Sequence, residues 1–214
     1  MNWLKSFILM ALILALGACA GGPDEDGPAV PTVTPGARLA DNLVTLFQRV
    51  LERDDLSDFE RDVFTRAAAT GRIDPADYEE AHLRESRCMK DAGYELTYTK
   101  RNNGLYLLDS VIGLPSVEAF DEQSSICSDG ILAHVEAYFS LQQNNPDLLA
   151  DNREVVVRCL VKAGLVPSSY GVEDFQRDFV EWDDDSDIIP FDPLDLITND
   201  CLLSGGYDYR GMVY

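Results

Sequence analysis

The feature that most limits how this chain can fold is a phrase written twice. "SRCMKDAG" spans 86–93 and "VRCLVKAG" spans 157–164, so Arg-Cys, three residues and Ala-Gly recur. Each copy has the look of a helix end, with glycine placed to close the last turn. Each is followed at nearly the same distance by another cysteine, Cys127 after Cys88 and Cys201 after Cys159. Four cysteines allow three pairings, and composition alone does not choose among them. An internal duplication with bridges inside each unit, Cys88–Cys127 and Cys159–Cys201, is the simplest account of the repeat. Two such staples require an oxidising compartment.

The elements around the phrase follow from periodicity and caps. Residues 37–53 place Leu39, Leu43, Leu46, Phe47, Val50 and Leu51 on one helical stripe. Ser57-Asp58-Phe59-Glu60 is a capping box that opens a second helix, and Gly71 is placed to end it. Asp74-Pro75 supplies an N-cap and a first-turn proline for a helix reaching Ala92, with Tyr78, Ala81, Glu85, Cys88 and Ala92 on one side. Two β-prone runs around Asn103-Gly104 predict a hairpin over 94–111. A helix is expected over 116–142, with Gly130 marking a bend. Asn145-Pro146 opens the second pass, which ends at Gly164, and 172–182 reads as a short amphipathic helix. Asp192-Pro193 opens a last helix carrying Leu194, Ile197 and Cys201. The fold class is therefore mainly α with a small β-hairpin: two diverged, disulfide-stapled helical units plus an N-terminal helical pair. The domain plan is a leader at 1–18, a tether at 19–36, and one globular domain at 37–214. Within that domain, 37–73 holds the N-terminal helices, 74–144 unit 1, 145–205 unit 2 and 206–214 a tail.

The leader has its own chemistry. Lys5 precedes an uninterrupted apolar run, Phe7 to Leu16, and small residues follow. The run falls short of the roughly 20 residues a spanning helix needs, and the layout is that of a secretory signal peptide. Leu16-Gly17-Ala18-Cys19 resembles the lipobox of bacterial lipoproteins, with Gly17 standing where a slightly larger small residue is commoner. The resemblance implies that Cys19 receives a diacylglyceryl group and becomes the first residue of the mature chain. Two acyl chains hold a protein on a membrane far more firmly than one. The alternative is ordinary secretion, because Ala18-Cys19-Ala20 is also a small-x-small cleavage site that would release a chain starting at Gly21. Residues 20–36 are rich in proline and glycine around Asp24-Glu25-Asp26, and they read as an extended, disordered tether.

A second resemblance rests on Tyr78-Glu79-Glu80-Ala81, Arg87-Cys88-Met89, Ala92-Gly93-Tyr94, Cys159-Leu160 and Ala163-Gly164. Over about 45–205 this pattern resembles exported four-cysteine proteins of actinobacteria. It implies a cell-envelope protein, and no catalytic residues come with it.

Charge narrows the partners. The net charge is −21, so nucleic acid and anionic headgroups are repelled. The bland reading is a solvated surface, and the sharper ones are attraction of a basic partner or of divalent cations. No motif for a phosphate loop, a serine nucleophile elbow, a zinc protease or a Cys-x-x-Cys redox pair occurs in the sequence. His82 and His134 read as helix-surface residues without partner spacing. Glu181, Asp183, Asp185, Asp187 and Asp192 offer oxygens for Ca²⁺, with Asp183, Asp185 and Asp187 the core of that candidate metal site. The EF-hand pattern is missing, so a solvated charge run is the better reading. Tyr94, Tyr98 and Tyr106 are placed either to stack on wall glycans or to pack on helices, and packing is preferred.

No cofactor is expected. The leading functional expectation is a non-catalytic lipoprotein on the cell membrane, facing outside the cytoplasm, that binds or scaffolds a protein or cell-wall partner. The rivals are an exported hydrolase of cell-wall material using a carboxylate pair, and a Ca²⁺-dependent interaction module.

Overall fold

Two disulfides define the frame: Cys88–Cys127, with Cα atoms 5.6 Å apart across a separation of 39 residues, and Cys159–Cys201, at 5.3 Å across 42. The computed structural model describes residues 34–113, 115–181 and 189–207. The helices are α1 Leu43–Val50, α2 Asp58–Thr70, α3 Pro75–Asp91, α4 Val117–Ser128, α5 Ala133–Asn144, α6 Asn152–Lys162, α7 Val172–Phe175 and α8 Leu196–Ser204. A π-helical turn, Gln176–Val180, continues α7, and strands β1 Glu95–Lys100 and β2 Tyr106–Ile112 form an antiparallel hairpin between α3 and α4. One bridge ties α3 to α4, and the other ties α6 to α8. The mainly helical class with one small hairpin is thus what the chain adopts. No helix among the described residues is long and apolar enough to cross a membrane.

The repeated phrase makes the same backbone turn twice. After α3, Ala92 N–H donates to Cys88 O, Gly93 to Lys90 O and Tyr94 to Met89 O. After α6, Ala163 donates to Cys159 O, Gly164 to Val161 O and Leu165 to Leu160 O. Both are Schellman ends, each with glycine in the left-handed region (φ 96° and 72°). The residue after glycine packs back in both: Tyr94 shares a cluster with Met89, and Leu165 packs on the cluster holding Leu160. Ala92, which its spacing places on the same side as Tyr78 and Ala81, is exposed, and so is Ala163, because both stand beyond the buried face of their helices.

The caps explain most boundaries. Ser57 Oγ accepts from Glu60 N while Glu60 Oε2 accepts from Ser57 N, each at 3.1 Å, which completes the capping box of α2. Asp74 caps α3 through Ala76 N at 2.9 Å, with Pro75 in the first turn. Four expectations are corrected. The first helix starts only at Leu43, because residues 37–40 are not helical and bridge to the second unit: Leu39 N–H donates to Leu148 O at 2.7 Å and Ala150 N–H to Ala37 O at 2.8 Å. The helix expected over 116–142 is two helices, broken at Gly130, whose φ of 66° is left-handed and whose carbonyl accepts from Ser57 Oγ.

Asn145-Pro146 opens no helix. The Asn145 side chain instead binds both backbone groups of Leu149, at 2.9 Å each, a competing local structure. The cap of α6 is Asp151. Asp192 likewise makes its own turn, accepting from Leu194 N at 2.9 Å, and Asp195 caps α8 through Ile197 N and Thr198 N. Leu194 and Ile197 are consequently exposed rather than on a buried stripe.

Two cores result. The larger joins α1, α2, α3 and α5 around Phe47, Phe64, Tyr78 and Phe139. Burying each such ring is worth about 1.5–3 kcal/mol. The second unit has its own core around Val156, Leu160, Phe175, Phe179, Cys201 and Leu202.

Candidate functional site

Residues at helical spacing on α3, namely Tyr78, His82 and Glu85, meet the hairpin tyrosines and Glu136 of α5. Tyr78 donates its hydroxyl to Glu136 Oε2 at 2.6 Å, and His82 Nε2 lies 3.0 Å from the same oxygen. Tyr98 donates to Glu85 Oε2 at 2.8 Å. The Tyr78 oxygen also accepts from Tyr106 N at 3.1 Å, which docks the start of β2 onto α3. Ring contacts close the cluster: Tyr78 to His82 at 4.6 Å, His82 to Tyr106 at 4.8 Å and His82 to Tyr98 at 5.1 Å.

The electrostatics follow from burial. Burial first, then the Glu136 charge, pushes the Tyr78 hydroxyl far above the usual tyrosine range; burial and Glu85 do the same to Tyr98. Both therefore stay neutral donors. Burial also raises the Glu85 carboxyl, with the Tyr98 hydroxyl opposing. His82 Nδ1 is buried without a hydrogen-bond partner.

A second acid–imidazole pair links α2 to α5. Glu60 is fully buried, and its Oε1 lies 2.9 Å from His134 Nδ1. Both histidines were expected on open helix surface. Each instead sits beside a carboxylate more than fifty positions away in sequence, a pairing that spacing along one helix does not reveal.

The three hairpin tyrosines are packing residues: Tyr94 against Phe120 at 5.8 Å, Tyr106 stacked on Tyr78 at 5.7 Å, and Tyr98 on Glu85. Cys88, Cys127, Cys159 and Cys201 are all bridged. Cys19 and Asp183, Asp185 and Asp187 lie outside the described residues. Their flanking partners are engaged locally, Glu181 with Gln176 at 3.1 Å and Asp192 with its own turn. No group of three or more His, Cys, Asp or Glu among the described residues is placed to hold a metal ion.

Beside Glu136 the surface opens into two adjoining clefts. One, of about 170 Å³, is bordered by Tyr106, Glu136 and Leu203; the other, of about 290 Å³, by Thr99, Leu196 and Asn199. Arg101, Leu107 and Asp200 border both. Arg101 and Asp200 form an ion pair there, joining the hairpin of unit 1 to α8 of unit 2. Sequence reasoning did not find this groove, because its two walls come from different halves of the chain.

Comparison with family models, with curated proteins and with solved structures yields no match.

Proposed function

We propose that the protein is an exported module held on the cell membrane by lipid at Cys19, facing away from the cytoplasm, with a binding or scaffolding role rather than a catalytic one. The observation that carries this reading is the pair of bridges in a chain whose leader, 1–18, runs directly into Cys19: bridges of this kind persist in oxidising compartments. The buried titratable groups support a non-catalytic role, since they are spent on one another. Tyr78 and His82 share Glu136, Tyr98 covers Glu85, and His134 pairs with Glu60. The hydrolase reading draws on the raised Glu85 carboxyl, but a substrate would reach that group (5% exposed) only after displacing Tyr98.

Labelled palmitate supplied to cells making the protein tests the anchor. Label on the wild-type chain and none on Cys19→Ala is the expected result. An unlabelled wild-type chain in the culture medium contradicts the anchor and favours plain secretion.

A further inference from the structure

Asn103 is the only asparagine in the chain followed by glycine, and it stands at the tip of the hairpin. Gly104 has a left-handed φ of 85°, a conformation that glycine adopts without steric cost. Two main-chain bonds close the turn, Arg101 N–H to Leu105 O at 2.8 Å and Gly104 N–H to Arg101 O at 3.0 Å. With no Cβ on Gly104, its backbone nitrogen lies open to the amide carbon of the preceding side chain. Asn145, by contrast, precedes Pro146, whose nitrogen has no proton to lose. The Asn103 amide is held at both ends: its Nδ2 donates to Asn144 Oδ1 at 3.0 Å, and its Oδ1 accepts from Leu105 N at 3.2 Å. Only the first of these two bonds leaves the hairpin, tying Asn103 to the last residue of α5. The surface cleft of about 170 Å³ bordered by Asn103, Ser140 and Asn144 opens the same place to solvent.

We infer that Asn103 is a deamidation site guarded by Asn144, and that its conversion frees the hairpin tip from α5. The Gly104 nitrogen bonds to Asn103 Cγ, the Cγ–Nδ2 bond breaks, and Nδ2 leaves as ammonia together with the Gly104 proton. Water then opens the cyclic imide at either of its carbonyls, giving aspartate or isoaspartate. Both products lack the Nδ2 donor that reaches Asn144. Isoaspartate also routes the main chain through the side-chain carbon, which lengthens a turn closed by only two main-chain bonds. Leu105 and Tyr106, packed on the larger core just after the turn, carry the change inward. The inference depends on neither the lipid anchor nor the binding role.

The test incubates the folded chain, disulfides intact, in mildly alkaline buffer. Peptide mapping follows each asparagine, with electron-transfer fragmentation to tell isoaspartate from aspartate. Asn103 is expected to convert before Asn102 and Asn152, and more slowly in the folded chain than in the urea-unfolded one. Asn144→Ala removes the acceptor and speeds conversion about five-fold, while Asn144→Asp, which keeps one, stays near the wild-type rate. In the converted chain, amide exchange quickens at Arg101 and Tyr106, whose N–H groups bond Leu105 O and the Tyr78 hydroxyl, and stays unchanged in α2. Conversion at Asn103 no faster than at Asn102 overturns the inference. So do equal rates in the folded and unfolded chains, a rate indifferent to Asn144→Ala, or unaltered exchange at Arg101 after conversion.

Discussion

Gly93 and Gly164 occupy the same position in two matching helix ends. Each has a left-handed φ (96° and 72°), and each donates to the carbonyl three residues back, at 3.0 Å. A Cβ at either glycine meets no atom within 4 Å, so its cost is conformational rather than steric. Gly93→Ala and Gly164→Ala should therefore each lower stability by about 1–2 kcal/mol, measured by urea unfolding. Equality of the two losses is the informative part. A neutral result at one position would show that the two ends are not equivalent.

How much of this was legible in the sequence depends on range. The double phrase, the capping box at Ser57, the Asp74-Pro75 start and the hairpin are local patterns, and each forms where the residues indicate. The in-unit disulfides followed from the repeat because the two copies build the same turn. What the sequence hid is long-range. Residues 37–40 fit the helical stripe through Leu39, yet their backbone finds partners at Leu148 and Ala150. Asn145 and Asp192 are good caps next to prolines, but each spends its side chain on a nearer turn. The groove at Asn199 and the imidazole–carboxylate pairs needed the folded chain, since His82 meets Glu136 and His134 meets Glu60 only across helices.

Each disulfide closes a loop of about forty residues, and chain entropy assigns such a loop on the order of 4 kcal/mol. Because the two cores are distinct, the losses should be local. Replacing Cys159 and Cys201 with alanine is expected to speed amide exchange in α6 and α8 while α1–α3 remain protected. Uniform loss of protection across both cores would contradict separate cores.

Glu85 gives a pH signature. Burial raises its carboxyl above the ordinary glutamate value, so its contribution to stability is fully present below that value and is lost as pH rises through the folded-state value. Glu85→Gln keeps an acceptor for Tyr98 and removes the buried charge. The variant should melt higher than the parent at about pH 8, and the advantage should vanish near about pH 4, where both side chains are neutral. A gain that persists unchanged in acid would mean that packing, not ionisation, is responsible.

His134 faces a carboxylate that is fully buried. Removing the imidazole by His134→Ala takes one hydrogen-bond partner from the buried Glu60 side chain, leaves the Ser57 N–H in place, and should cost about 1–3 kcal/mol. Adding Glu60→Gln in the same chain should recover part of that loss, because an amide is less costly than a carboxyl group to bury without its imidazole partner. A double variant less stable than His134→Ala alone would assign the loss to packing.

Lipid on Cys19 of an exported, twice-bridged domain would be read directly from the mature mass of the native protein. Intact-mass measurement without reduction is expected to give a chain that begins at Cys19, carries a diacylglyceryl group, and is lighter by the four hydrogens of two disulfides. An unmodified chain beginning at Gly21 would contradict the claim.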